Sequence, residues 1–426
     1  MELTLKYGRT TMSATLPWSN VHVLAPRDYQ ADLPNLAERL VERLNFPHKG
    51  PALKEIIKPG EEVVVLVSDI TRAWNRTSDY LPALLQYVEA CGVDREQITI
   101  ISARGCHRSQ TQDELRTMVG DAVFARYRVL EHDADDQANL VFVGRTSRGN
   151  NVYVNKKVAE ADRVILTGGV IHHAMSGFGG GRKSILPGVA GRQTVEFNHL
   201  HALHPTEMAI NPAIGSNKLE GNPIHEDMVE AAALVNPDFL VNVVLDRHNE
   251  IVDFFTGHWL DAWLEGCRLV NEIYGVEVEA ESDLVIVSCG GFPYDISLYQ
   301  ASKTFYNAGL ATKPGGTMII LVQAEDGPGS SDFFGWYDHE TNAEFYNSLK
   351  ANFSIPGYLA YLIYNIAKSR NVYAVTDVEA ESVAKMGITP VSSLQEAIDR
   401  AAAHVQTEAR VCIMPEGAFT FPILKK

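Results

Sequence analysis

Apolar and polar positions alternate in blocks along the chain. Runs of strand length recur at Val63–Val67, Ile98–Ser102, Arg163–Thr167 and Phe239–Leu245, then at Leu284–Ser288, Thr317–Val322, Val372–Val375 and Val411–Met414. Several are continuously apolar, as expected of strands covered on both faces of a parallel sheet. Between them lie amphipathic stretches of helical period: Asp79–Ala90, Glu226–Val235, Leu260–Ile273, Tyr299–Leu310, Leu359–Lys368 and Leu394–Val405. This alternation predicts an α/β protein of two domains with mainly parallel, Rossmann-like sheets and a cleft between them. The helical stretch Leu260–Val278 and the acidic bridge Glu279–Asp283 set the expected boundary. Residues 1–275 should form an N-terminal domain and residues 276–426 a smaller C-terminal domain closing over the site. The final strand is free to return to the N-terminal domain.

Composition narrows the class. At 426 residues the chain suits two domains, and 46% hydrophobic with 21% charged residues is ordinary for globular proteins. A formal charge of −16, from 37 basic and 53 acidic residues, disfavours nonspecific nucleic-acid binding, which needs basic surface against phosphate. A basic pocket for an anion remains compatible with it. The five cysteines are scattered and include no CxxC pair, which argues against a disulfide framework or a thiolate zinc site and for a reducing compartment. No leader-like segment opens the sequence and no apolar run reaches the ~20 residues of a membrane helix, so a cytoplasmic location is expected.

Chemistry gathers immediately after the strands. Asp69-Ile70-Thr71-Arg72 follows the first, Arg104-Gly105-Cys106-His107-Arg108 the second, and His172-His173 the third. Cys289-Gly290-Gly291-Phe292-Pro293-Tyr294-Asp295 follows Leu284–Ser288. The richest stretch, Gly177-Phe178-Gly179-Gly180-Gly181-Arg182-Lys183-Ser184, invites comparison with the P-loop but carries Arg182 where that motif needs glycine. Its glycines should let backbone amides approach a phosphate or carboxylate, with Arg182 and Lys183 adding charge. His199, His201 and His204 form H-x-H-x-x-H. At that spacing they do not share one helical face, so one is expected to act.

Asp69–Arg72, His107-Arg108, His173 with Gly177–Ser184, Asn198-His199, and Tyr299-Gln300-Ala301-Ser302-Lys303 occur in the order found in the nickel-pincer lactate racemase family. The chain resembles that family over nearly its whole length. The resemblance implies a nickel-pincer nucleotide, nickel pyridinium-3,5-bisthiocarboxylic acid mononucleotide, joined covalently at Lys183. It implies His199 as nickel ligand, His107 and His173 as acid/base groups, and Arg72, Gln300 and Lys303 as substrate-binding residues. Asp69, Thr71, Gly179, Gly180, Gly181, Arg182 and Ser184 would line the cofactor. Family spacing to Lys183 favours His173 over its neighbour His172 as the second base.

The implied activity is a racemase or epimerase inverting C2 of a 2-hydroxy acid: lactate, or a relative such as malate or a sugar acid. The Cα–H beside a carboxylate is very weakly acidic, and moving it as hydride through a 2-keto acid avoids a carbanion. The hydroxyl proton then needs a base near neutrality, which suits histidine. Two enantiomers present that hydroxyl differently, so two bases are required. Proteins that make the cofactor are expected partners. A nucleotide- or phosphometabolite-binding protein using the Gly-rich loop without nickel chemistry is the alternative. A zinc hydrolase built on the His cluster is a third reading, with no HExxH motif to support it.

Overall fold

The computed structural model describes residues 1–29, 33 and 35–425. They divide into two compact units. One comprises residues 29–202 and 211–272, the other residues 1–28, 203–210 and 273–426.

The first unit is built on a six-stranded sheet. From one edge its strands are Ile251–Gly257, Phe239–Leu245, Arg163–Gly169, Val63–Val67, Ile98–Ser102 and Arg128–Glu131. All neighbours are parallel except Ile251–Gly257, which runs antiparallel to Phe239–Leu245. Taken in chain order the strands lie 6-5-4-1-2-3, the doubly wound order read from its other edge. The largely apolar runs are the buried ones: every residue of Val63–Val67, Ile98–Ser102 and Phe239–Leu245 is buried.

The second unit carries its own six-stranded sheet, all parallel: Thr389–Val391, Asn371–Val375, Thr312–Leu321, Ser282–Ser288, Val411–Met414 and Val21–Val23. The two-domain α/β architecture read from the pattern is therefore present, with mainly parallel sheets. The boundary differs from residue 275. Residues 1–28 belong with the C-terminal residues, because Val21–Val23 pairs with Val411–Ile413 and the hairpin Glu2–Tyr7/Thr10–Thr15 covers that sheet. Its alternating face buries Leu3, Leu5 and Tyr7, which join Leu16 and Trp18 in one core with Leu284, Ile286, Ile319, Leu394 and Ile398. The expected helix to Val278 stops at Tyr274. Gly275–Val278 is instead a strand, and it pairs with Phe421–Leu424 inside the same unit.

Candidate active site

In the first unit the strand order reverses between Val63–Val67 and Arg163–Gly169, so the chain leaving these two strands passes to opposite sides, the place where doubly wound sheets carry their sites. The loop after Val63–Val67 carries Asp69 into a short 3-10 turn, Ile70–Asn75. The chain after Arg163–Gly169 makes a tight two-residue ladder, His172–His173 against Gly177–Phe178, then the turn Gly181–Ser184. Adjacent residues on a strand point to opposite faces, and this ladder separates the two histidines. The buried His172 ring meets Asn271 Oδ1 at 2.8 Å and packs on Phe178. His173 Nε2 lies 2.8 Å from Lys183 Nζ.

The proton in that last contact can be placed. His173 Nδ1 accepts the backbone N–H groups of Met175 (3.2 Å) and Ser176 (3.3 Å), so the neutral ring carries its proton on Nε2. Nε2–H then donates to Lys183 Nζ, which must offer a lone pair. Both pKa directions agree. Burial, with Arg72 and Arg182 nearby, holds Lys183 well below an ordinary lysine. Burial, with Arg72 and Arg182 nearby, holds His173 well below an ordinary histidine.

His199 sits in the last turn of helix Arg192–Leu200, buried, with Nδ1–H donating to Val195 O at 2.8 Å. That bond leaves the ring lone pair on Nε2, the arrangement a metal-binding imidazole needs. Burial and the neighbouring Lys183 lower its pKa to about 4, so the ring is neutral at physiological pH. His107, in the loop after Ile98–Ser102, points Nδ1–H at Asp69 Oδ2. Its carbonyl accepts from the Arg104 guanidinium, which also pairs with Glu131 at 3.0 Å. Arg72 is exposed beside them and donates to Thr71.

Several of the other candidate groups have partners within the protein. The amides of Gly179 and Gly181 are spent on Ile171 O (2.7 Å) and Asn242 Oδ1 (2.8 Å), so these two are not offered to an anion. Its glycines serve close packing: at Gly181 (φ +56°) a Cβ would come within 2.7 Å of the Trp263 ring, and at Gly180 (φ +72°) within 2.6 Å of Asn242 Oδ1. Arg182 is wholly buried, donating to Ser176 O (2.6 Å), Phe178 O (2.9 Å) and His225 Nδ1 (3.2 Å), with its guanidinium 3.9 Å above Trp263. The Ser184 hydroxyl donates to Thr167 O at 3.3 Å, and Asp69 and Thr71 bond to one another (2.6 Å). As the spacing of His199, His201 and His204 implies, the three do not make a metal cluster. Among the described residues, no three His, Cys, Asp or Glu side chains gather to hold a metal ion.

Asn242 and Trp263, which hold the glycine loop, escaped the sequence reading. A polar residue inside the otherwise apolar strand FLVNVVL was the available signal for Asn242. For Trp263, whose Nε1–H donates to Gly179 O at 2.8 Å, the helical pattern shows only a core position.

In the second unit, strand order reverses between Ser282–Ser288 and Val411–Met414. Gln300 and Lys303 lie on helix Leu298–Ala311, the first element after this crossing, with Ser297 accepting from Gln300 N at 3.3 Å. Lys303 Nζ stands 5.9 Å from the Phe419 ring, in the loop after Val411–Met414. Burial lowers its pKa to about 8. Tyr294 and Tyr274 pack on the same phenyl ring. Asp295 turns away, accepting Gly8 N at 2.6 Å.

Titratable groups gathered where a doubly wound sheet changes direction define an α/β enzyme, and comparison with known proteins gives its class. The lactate racemase N-terminal domain family matches residues 7–210 and the lactate racemase C-terminal domain family matches residues 277–421. The chain is 31% identical over 421 residues to the lactate racemase of Thermoanaerobacterium thermosaccharolyticum, covering 97% of each. It is also 31% identical over 386 residues to that of Lactiplantibacillus plantarum, covering 89% of each. The lactate racemase apoprotein structure from the former organism matches with a TM-score of 0.86 at 28% identity, over 99% of this chain and 100% of that one. A Thermotoga maritima protein at 18% identity (TM-score 0.63; 93% and 100% covered) shares the fold. The protein is an isomerase of the racemase type. It belongs to the lactate racemase family.

Proposed function

We propose that this protein inverts C2 of a 2-hydroxy acid, lactate or a close relative, using a nickel-pincer nucleotide held by Lys183 and His199. The observation that carries this reading is the Lys183–His173 contact at 2.8 Å, with Lys183 offering an unprotonated amine. An amine in that state suits covalent attachment better than clamping a phosphate. His199, neutral with its lone pair on Nε2, suits a metal whose other donors come from an organic ligand. When bound, the group supplies the hydride acceptor that C2 requires.

The chain's own residues then bind the substrate and manage the proton. Arg72 holds the carboxylate through parallel N–H bonds, and Gln300 and Lys303 are the further substrate contacts. His107 and His173 take the hydroxyl proton of opposite enantiomers and return it to the planar 2-keto acid. The anion-nest alternative loses support because the amides of Gly179 and Gly181 already have partners. Enzyme from cells supplying nickel and the cofactor-making proteins should carry a mass adduct, absent from Lys183→Ala, and racemise members of a panel of D- and L-2-hydroxy acids. The same adduct on Lys183→Ala would remove the attachment assignment. No turnover of any panel member by adduct-bearing enzyme would remove the activity.

A further inference from the structure

Asp69 is 3% exposed, and both its carboxylate oxygens are aimed at protein groups. Oδ2 accepts His107 Nδ1–H, and Oδ1 accepts the Thr71 hydroxyl at 2.6 Å. The direction of each bond is forced. Arginine has no acceptor, so Thr71 Oγ1 receives the Arg72 N–H (3.1 Å) and must spend its single hydrogen on Asp69. The result is a continuous chain of donors, Arg72 to Thr71 to Asp69, met from the other side by His107. Burial alone would raise the Asp69 pKa, but the bonds from His107 and Thr71 outweigh it and keep the carboxylate ionised.

We propose that Asp69 and Thr71 are positioning residues that preset His107 as a base and tie it to Arg72, instead of contacting the cofactor. This rests on reading His107 as an acid/base group. An ionised Asp69 fixes the His107 proton on Nδ1 and leaves the Nε2 lone pair for a substrate hydroxyl, the role a carboxylate plays behind a catalytic imidazole. The loop is braced from behind as well. His107 N–H donates to Arg104 O at 3.1 Å, and Ile70 N–H donates to Gln110 Oε1 at 2.7 Å. The two histidines are thereby unequal: His107 is poised, whereas in this structure His173 holds its proton on Nε2 towards Lys183. The brace also fixes the spacing between the group that takes the hydroxyl proton and the guanidinium proposed to hold the carboxylate.

The test compares Asp69→Asn, Thr71→Val and Thr71→Ser. Loaded Asp69→Asn should keep the mass adduct while kcat falls about 100-fold with KM little changed, the scale of losing a positioned base. Thr71→Val should raise KM and lower kcat by about 10-fold, and Thr71→Ser should restore both, since the brace needs only the hydroxyl. An independent readout uses unloaded wild-type protein with 15N-labelled histidine, assigned by its loss in His107→Ala. Nitrogen shifts should show His107 as the Nδ1–H tautomer, and this measurement stands even if a variant fails to fold. The Nε2–H tautomer there, unchanged kcat in folded Asp69→Asn, or loss of the adduct from folded Asp69→Asn and Thr71→Val would overturn the proposal. Full turnover by His107→Ala would instead remove the acid/base reading, while the tautomer measurement would still report the hydrogen-bond chain.

Discussion

Lys183 and His173 share one proton across 2.8 Å, and its position carries a consequence for both residues. A lysine that accepts a hydrogen bond is an unprotonated amine, consistent with the lowering by burial and by Arg72 and Arg182. Its folded pKa lies below the usual ~10.4, so the reactive form should be complete at a lower pH than for a surface lysine. The rate of Lys183 acylation by a small activated ester, which releases its alcohol as the amide forms and is followed by peptide mass, should rise with pH and reach its plateau well below pH 10. Limited access scales the whole curve without moving its midpoint, so a plateau at or above 10 would contradict the assignment. For His173 to take a hydroxyl proton at Nε2, that atom must carry the lone pair. The two amide contacts to Nδ1, both longer than 3.1 Å, are the ones that must give way once the amine is acylated. Residue types and order were legible in the sequence here; directions were not. Arg182 and Lys183 are adjacent basic residues, yet one is sealed under Trp263 and the other meets His173. Which way each points depends on Trp263 and Asn242, far along the chain, and no local pattern encodes that.

At the scale of elements, the largely apolar runs Val63–Val67, Ile98–Ser102 and Phe239–Leu245 were read with their full limits because burial on both faces keeps exposed polar positions out of them. Arg128–Glu131 and Ile251–Gly257 were missed. Both are edge strands, and the second interrupts its apolar run with Asp253, which Arg39 and Arg43 neutralise. The glycine loop stands out in the sequence, and its geometry adds a packing reason for its glycines. It is glycine-rich because the chain turns with positive φ against an indole and a buried amide, and this geometry delivers Lys183 to His173. Gly181→Ala tests that account. A side chain at φ +56° is strained by about 1–2 kcal/mol, and its methyl would sit within 2.7 Å of Trp263, which is itself wholly buried. With the overpacking cost added, a loss of about 2–4 kcal/mol is expected from urea unfolding, together with poorer adduct formation at Lys183. An anion-nest loop would lose ligand affinity with far less effect on stability.

For the whole molecule, each unit places candidate residues after strands that flank the reversal of strand order: Asp69–Arg72 and His173–Ser184 in one, Gln300 and Lys303 in the other. Strand–helix alternation predicts this well. Chain order does not predict where residues 1–28 go, because a short hairpin that alternates by twos has too little apolar length to announce its partner. Its membership of the C-terminal unit can be tested through Trp18, 4% exposed against Leu284, Ile286 and Ile319. Removing a buried indole costs about 3–5 kcal/mol, so Trp18→Ala should destabilise the unit that contains it. Two units with separate cores need not unfold as one, so the readout must be regional. In pulse proteolysis with peptides mapped by mass, cleavage within residues 282–414 should appear at lower urea in the variant than in the wild type. Cleavage within residues 63–169 should shift less, since that core is built on Val65, Ile100, Ile165 and Val241 and includes nothing from residues 1–28. If residues 1–275 formed one domain, the larger shift would fall in 63–169 instead.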